Sequence, residues 1–246
     1  MRGIHPFRRA ATRRGRPAGT VPAQIAATAL GGLALIAASR GVLAGSAAGA
    51  AAAMAAFLLV CGAALGAMRR GYPHDRIGGC NVVTLLRAGL VCALLMPLVA
   101  GRPAGWAVAG VAGLALVLDG LDGRLARRSG LASRFGARFD IEVDAALALV
   151  LALHVIAGTA VGAEILVLGQ ARYAFEAAGL VWPWLRADLP DRRWRKAICV
   201  IQIVTLILLQ TPLPPRDLAI DLARLAAVLL AASFAVDVAW LYRHRR

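Results

Sequence analysis

Residues 104–160 read AGWAVAGVAGLALVLDGLDGRLARRSGLASRFGARFDIEVDAALALVLALHVIAGTA. Two apolar runs, 104–122 and 141–160, flank a short segment that holds five arginines. Each run is about the 17 to 25 residues a helix needs to cross a bilayer. The stretch therefore reads as a membrane helical hairpin whose charged turn lies on one side. Four carboxylates, Asp119, Asp122, Asp140 and Asp144, sit where the runs meet that turn. Acidic side chains at the edge of a hydrocarbon layer are costly, so such a cluster is a functional site by default.

The rest of the chain extends the same reading. With 60% hydrophobic residues and a mean hydropathy of +0.70, a soluble globule is excluded. Further apolar runs at 22–39, 45–67, 81–100, 163–184, 197–211 and 219–241 bring the total to about eight. The predicted fold is all-α, a polytopic helical membrane protein. Its divisions are a basic segment 1–20, two N-terminal helices 21–68, a polar linker 69–80, a six-helix core 81–242 and a basic end 243–246.

Arginine placement gives the orientation, because Lys and Arg concentrate in cytoplasmic loops. With a cytoplasmic N-terminus, one side collects six arginines before Pro17, then Arg69, Arg70 and Arg76, then Arg124, Arg127, Arg128, Arg134 and Arg138. The same side takes Arg186, Arg192, Arg193, Arg195, Lys196 and the arginines of the C-terminus. The other side has Arg40, Arg102 and Arg216, while Arg87, Arg172 and Arg224 fall inside spans. An even number of spans with both ends cytoplasmic explains this asymmetry. The net charge of +15 then describes a face drawn to anionic headgroups. A nucleic-acid partner is not expected, since the charge is spread over every inside loop without interleaved aromatics. The acid-free N-terminus would also suit a targeting segment, but the preferred reading is the positive flank of the first span. Arginine in place of lysine, with abundant alanine, points to a GC-rich bacterial genome and an inner-membrane location.

Cys61, Cys80, Cys92 and Cys199 have no metal or disulfide spacing. His74 and His154 stand alone and read as a loop residue and a packed residue. In the first two spans, Gly62 and Gly66 form a small-xxx-small pair suited to close helix contact.

Spacings of three and four put Asp119 with Asp122, and Asp140 with Asp144, each on one helical face. Gly123 and Ala126 share the Asp119 face, and Gly136 precedes Asp140 by four, so the acidic faces are lined with small residues that leave room for a ligand. Oxygen ligands without histidine or thiolate favour a hard cation, Mg²⁺ or Mn²⁺. Arg127 supplies bidentate donors of the kind that hold phosphate.

The run Asp119-Gly120-Leu121-Asp122-Gly123-Arg124-Leu125-Ala126-Arg127, followed after eight residues by Gly136, then Asp140 and Asp144, resembles the CDP-alcohol phosphatidyltransferase signature at every fixed position. The segment Asn81-Val82-Val83-Thr84-Leu85-Leu86-Arg87 is similar to the one that opens the family's first core helix. The resemblance spans roughly residues 76–242 and implies a six-helix catalytic core. It implies that Asp119, Asp122, Asp140 and Asp144 bind divalent metal and that Asp144 is also the general base. It implies that Gly123, Ala126, Arg127, Ser133 and Gly136, with Asn81 and Thr84 nearby, form the site for the cytidine diphosphate part of the donor. The reaction implied is attack of an alcohol on CDP-diacylglycerol or a related CDP-alcohol, with release of CMP, in a homodimer among membrane lipids.

The acceptor is less legible. Ala145 stands where glycerophosphate-using members often carry lysine; glycerol 3-phosphate remains the leading acceptor, with Arg172, Arg195 and Lys196 as candidate contacts. Arg172 also stands one turn before Glu176, where an ion pair accounts for it equally well. Two other classes compete: a divalent-cation transporter, which would want acidic residues in mid-membrane in several spans, and a non-catalytic scaffold, which would be expected to lose a carboxylate.

Overall fold

The computed structural model describes residues 20–102, 105–129, 131, 133–159, 161–187, 189–190 and 192–245, with the backbone alone at 121–129 and 193. Regular structure among these residues is helical: α1 (Thr20–Val42), α2 (Ala47–Gly71), α3 (Gly79–Ala93), α4 (Leu95–Val99), α5 (Trp106–Ser129), α6 (Arg134–Gly158), α7 (Leu166–Val181), α8 (Arg193–Leu208) and α9 (Arg216–Arg243). Each apolar run lies on this series, with α3 and α4 sharing one run. Five segments are long and apolar enough to cross a bilayer: α1, α2, α3 with α4, α6 and α9. The helices α7 and α8 have 16 residues each, about 24 Å against a hydrocarbon layer of about 30 Å. Single 3₁₀ turns, Ala163–Ile165 and Pro183–Arg186, lengthen α7 at both ends.

The charged segment between the two apolar runs of the hairpin is mostly helix. Helix α5 continues to Ser129 and α6 begins at Arg134. Apolar runs mark contact with lipid, whereas the helical hydrogen-bond ladder continues into charged residues. Ser133 sets the start of α6: its backbone is extended and its Oγ accepts the Gly136 N–H at 3.0 Å. This satisfies one of the N–H groups that a helix start leaves unpaired.

Helix α3 is the centre of the bundle and packs against α1, α2, α5 and α6. In the span of α3 with α4, 67% of the most apolar window is buried, against 28% in α1, α2 and α9. The break after Ala93 follows from Pro97, which lacks the N–H that would reach the Ala93 carbonyl and crowds that carbonyl with its ring. His154 of α6 closes the break, its Nε2 lying 2.8 Å from the Leu94 carbonyl oxygen.

The first two helices clamp onto α3 through Gly32 and Gly89. A Cβ on Gly89 of α3 would lie 3.3 Å from Gly32 Cα of α1, and the buried ring of Phe57 on α2 packs over Gly32. Among the described residues, nothing lies within 4 Å of a Cβ added at Gly62 or Gly66, so that face of α2 stays open within the chain. Which small pair a helix uses depends on its rotation, and spacing alone does not fix that. The linker after α2 is likewise tied down without being helical. Tyr72 donates to the Ile77 carbonyl at 2.8 Å, the Ile77 N–H donates to Gln24 Oε1 at 2.9 Å, and Gly78 turns into α3 at φ +75°.

Candidate active site

Three helices meet at the carboxylates. Asp119 projects from α5, Asp140 and Asp144 project one turn apart from α6, and Arg87 reaches them from α3. Arg87 Nη1 lies 2.8 Å from Asp119 Oδ1 and 2.6 Å from Asp140 Oδ1, while Nη2 lies 2.5 Å from Asp144 Oδ1. Arg87 Nε donates to the Ala115 carbonyl at 3.1 Å, one turn before Asp119. A carboxylate oxygen from each of the three aspartates lies within 4.8 Å of the others. Their side chains are 31–41% exposed, whereas that of Arg87 is 1% exposed. The guanidinium is thus a buried floor and the carboxylates are its accessible roof.

Electrostatics explain why the cluster holds together. Coulomb energy falls as the inverse of distance, so arginine–carboxylate contacts below 3 Å outweigh repulsion between oxygens up to 4.8 Å apart. Among the described residues, three carboxylates around one guanidinium leave a surplus of negative charge, which suits a divalent cation. With oxygen as the only ligand type, the group fits Mg²⁺ or Mn²⁺.

The remaining expected residues divide into several groups. Asp122, Gly123, Ala126 and Arg127 lie on α5, but their side chains are outside the described residues. Asn81 and Thr84 are buried in the first turns of α3. Asn81 Nδ2 donates to the Ile77 carbonyl at 2.5 Å and to Tyr72 Oη at 3.0 Å, and Thr84 Oγ1 donates to the Cys80 carbonyl at 2.9 Å. Burial pushes the Tyr72 phenol up to about 12, which keeps it a donor in this network. A Cβ on Gly136 would lie 2.7 Å from Asn81 Oδ1, so this glycine serves the approach of α6 to α3 as well as leaving space beside the acids. Ser133 is buried and caps α6.

A second polar group stands beside the first. Arg172 of α7 pairs with Glu142 at 2.5 Å and with Glu176 at 3.2 Å. Arg195 of α8 lies 3.7 Å from Asp237 of α9 and donates to the Pro190 carbonyl. Lys196 is exposed on the same helix. Helix α8 packs against both α5 and α6, so this wall adjoins the helices that carry the carboxylates. A cleft of about 870 Å³ between α2 and α6, lined by Val60, Ala63, Phe135, Arg138 and Glu142, opens elsewhere. Arg138 and Glu142 are each two residues from an aspartate, about 200° around α6, so these two lining residues stand on the other face of the helix from the acids.

Residues 79–239 match the family model described as CDP-alcohol phosphatidyltransferase. The chain belongs to the CDP-alcohol phosphatidyltransferase family. No curated protein and no solved structure matches it. The match begins with α3 and runs nearly to the end of α9, and α1 and α2 lie outside it. Membership makes this chain a membrane transferase of substituted phosphate groups whose donor is a CDP-alcohol, in a family generally dependent on divalent metal. The three-aspartate cluster is a place in this chain that can hold such an ion. Arg87 was not legible as part of that site. The signals in the sequence were its place as an ionisable residue inside an apolar span and as the last residue of the Asn81–Arg87 segment that resembles the start of the family's first core helix, and neither gave it a role.

Proposed function

We propose that this protein transfers a phosphatidyl group from CDP-diacylglycerol to a small alcohol, in the presence of Mg²⁺ or Mn²⁺, with release of CMP. The observation that carries the reading is the convergence of Asp119, Asp140 and Asp144 within a chain of this family. Asp119, Asp140 and Asp144, with Asp122, would hold the metal; when bound, it neutralises charge on the pyrophosphate oxygens. Asp144 accepts the proton of the acceptor hydroxyl as that oxygen attacks the lipid-side phosphorus. The bond from that phosphorus to the bridging oxygen breaks, and CMP leaves with the electron pair. Gly123, Ala126, Arg127 and Gly136 line the donor's cytidine diphosphate, and Asn81, Thr84 and Ser133 support that wall from inside the protein. The site lies at the cytoplasmic edge of a bacterial inner membrane, where a lipid donor and a water-soluble acceptor meet. The six-helix catalytic core is 81–242, within a homodimer.

Glycerol 3-phosphate is the first acceptor to test, with Arg195 and Lys196 as its phosphate contacts. Arg172 is a weaker candidate because Glu142 and Glu176 already engage it. One observation marks a place for an acceptor hydroxyl, which glycerol 3-phosphate and an uncharged polyol both carry. Asp237 is buried and its Oδ1 has no hydrogen-bond partner within the described residues, and a hydroxyl donor would satisfy it.

The test is CMP release by purified protein in nanodiscs with CDP-diacylglycerol and Mg²⁺ or Mn²⁺, across glycerol 3-phosphate, serine, inositol, inositol phosphate and phosphatidylglycerol. Acceptor-dependent release names the headgroup. Folded protein that neither releases CMP nor binds the donor refutes the proposal and returns attention to cation transport or a scaffold role.

A further inference from the structure

The chemistry above gives Arg87 no part, yet Arg87 is fully buried on the central helix and touches every described carboxylate of the site. We propose that Arg87 is the positioning residue that assembles the aspartate cluster before metal arrives, so that the cation enters a preformed site. This rests on the reading of the cluster as a metal site.

Each donor of the guanidinium fork has its own role. Nε holds the Ala115 carbonyl and so fixes the rotation of α5 against α3. Nη1 bridges Asp119 and Asp140 and thereby joins α5 to α6, and Nη2 takes Asp144 one turn along α6. A planar fork can serve partners in several directions, whereas the compact ammonium of a lysine cannot reproduce that geometry. The opposite charge also removes the repulsion that would drive three carboxylates on two helices apart. A buried arginine is costly unless it is paired and hydrogen-bonded, and its partners here are the acids it gathers. Charge and exposure agree, since the guanidinium lies below and the carboxylates open above it with a surplus of negative charge.

The experiment separates this role from simple electrostatics by the sign of the effect. Removing a positive charge beside a cation site tightens cation binding if Coulomb attraction alone operates. It weakens binding if the charge was holding the ligands in place. Mn²⁺ binding would be measured by electron paramagnetic resonance of the free ion, with the full chain in nanodiscs and no substrate. The wild type would be compared with Arg87→Gln and Arg87→Lys after checking helicity and monodispersity. The expected result is at least about a tenfold rise in Kd for Arg87→Gln and a smaller rise for Arg87→Lys, which keeps the charge but loses the fork. If Arg87→Gln does not fold, weakened binding in folded Arg87→Lys supports the role on its own. Mn²⁺ binding that is unchanged or tighter in a folded variant overturns the inference. A wild type that binds no Mn²⁺, or binding unaffected by Asp119→Asn together with Asp140→Asn, overturns the metal reading itself and this role with it.

Discussion

Asn81 Oδ1 on α3 lies 2.7 Å from the point that a Cβ on Gly136 of α6 would occupy. Asn81 cannot easily swing aside, because its Nδ2 holds both the Ile77 carbonyl and Tyr72 Oη. Gly136→Ala therefore forces α6 outward or breaks that network. Overpacking of this kind costs about 1–3 kcal/mol. A thermal midpoint equal to that of the wild type in the same nanodiscs would show that Asn81 can yield after all.

Asp144→Asn keeps the shape of the side chain and removes its basicity. CMP release is expected to fall by about two to four orders of magnitude, the usual contribution of a general base, while CDP-diacylglycerol still binds. Turnover within a few-fold of the wild type would assign the proton to another group.

Ser133 is expected to matter for stability through its backbone contact. Ser133→Ala removes the Oγ acceptor that holds the Gly136 N–H and should lower stability by about 1 kcal/mol, whereas Ser133→Asp, also a good cap, should retain most of it. If both variants lose donor affinity with no change in thermal midpoint, Ser133 acts on the nucleotide directly.

The two arginines beside the site are expected to behave differently. Arg172 is partly exposed and paired with partly exposed glutamates, so Arg172→Ala should fold, lose about 1 kcal/mol or less and leave the acceptor KM nearly unchanged. Arg195→Ala should raise the acceptor KM severalfold for a phosphorylated acceptor. Steady-state kinetics on both variants decide the matter, and the reverse pattern would move the acceptor pocket towards α7.

The sequence by itself determined that this is a helical membrane protein. It also put four acids on one hairpin, three of which the structure brings within 4.8 Å of one another, because both facts are written in local pattern. Apolar runs of bilayer length mark the helices, and Asp119, Asp140 and Asp144 fall on two runs joined by a short turn, so one hairpin brings them to the same end. Residues such as Gly123 and Arg127 belong to the same pattern, although their side chains lie outside the described residues. Tertiary structure alone decided what stands beneath the acids. Arg87 is separated from Asp140 by 53 positions and from Asp144 by 57, and the segment it ends does not say what it touches. The pairing of Gly32 with Gly89 and the fit of Gly136 against Asn81 were decided in the same way. The physical reason is common to all three. Periodicity fixes which residues share a face of one helix, but the rotation and depth at which helices meet come from side-chain packing summed over the whole bundle.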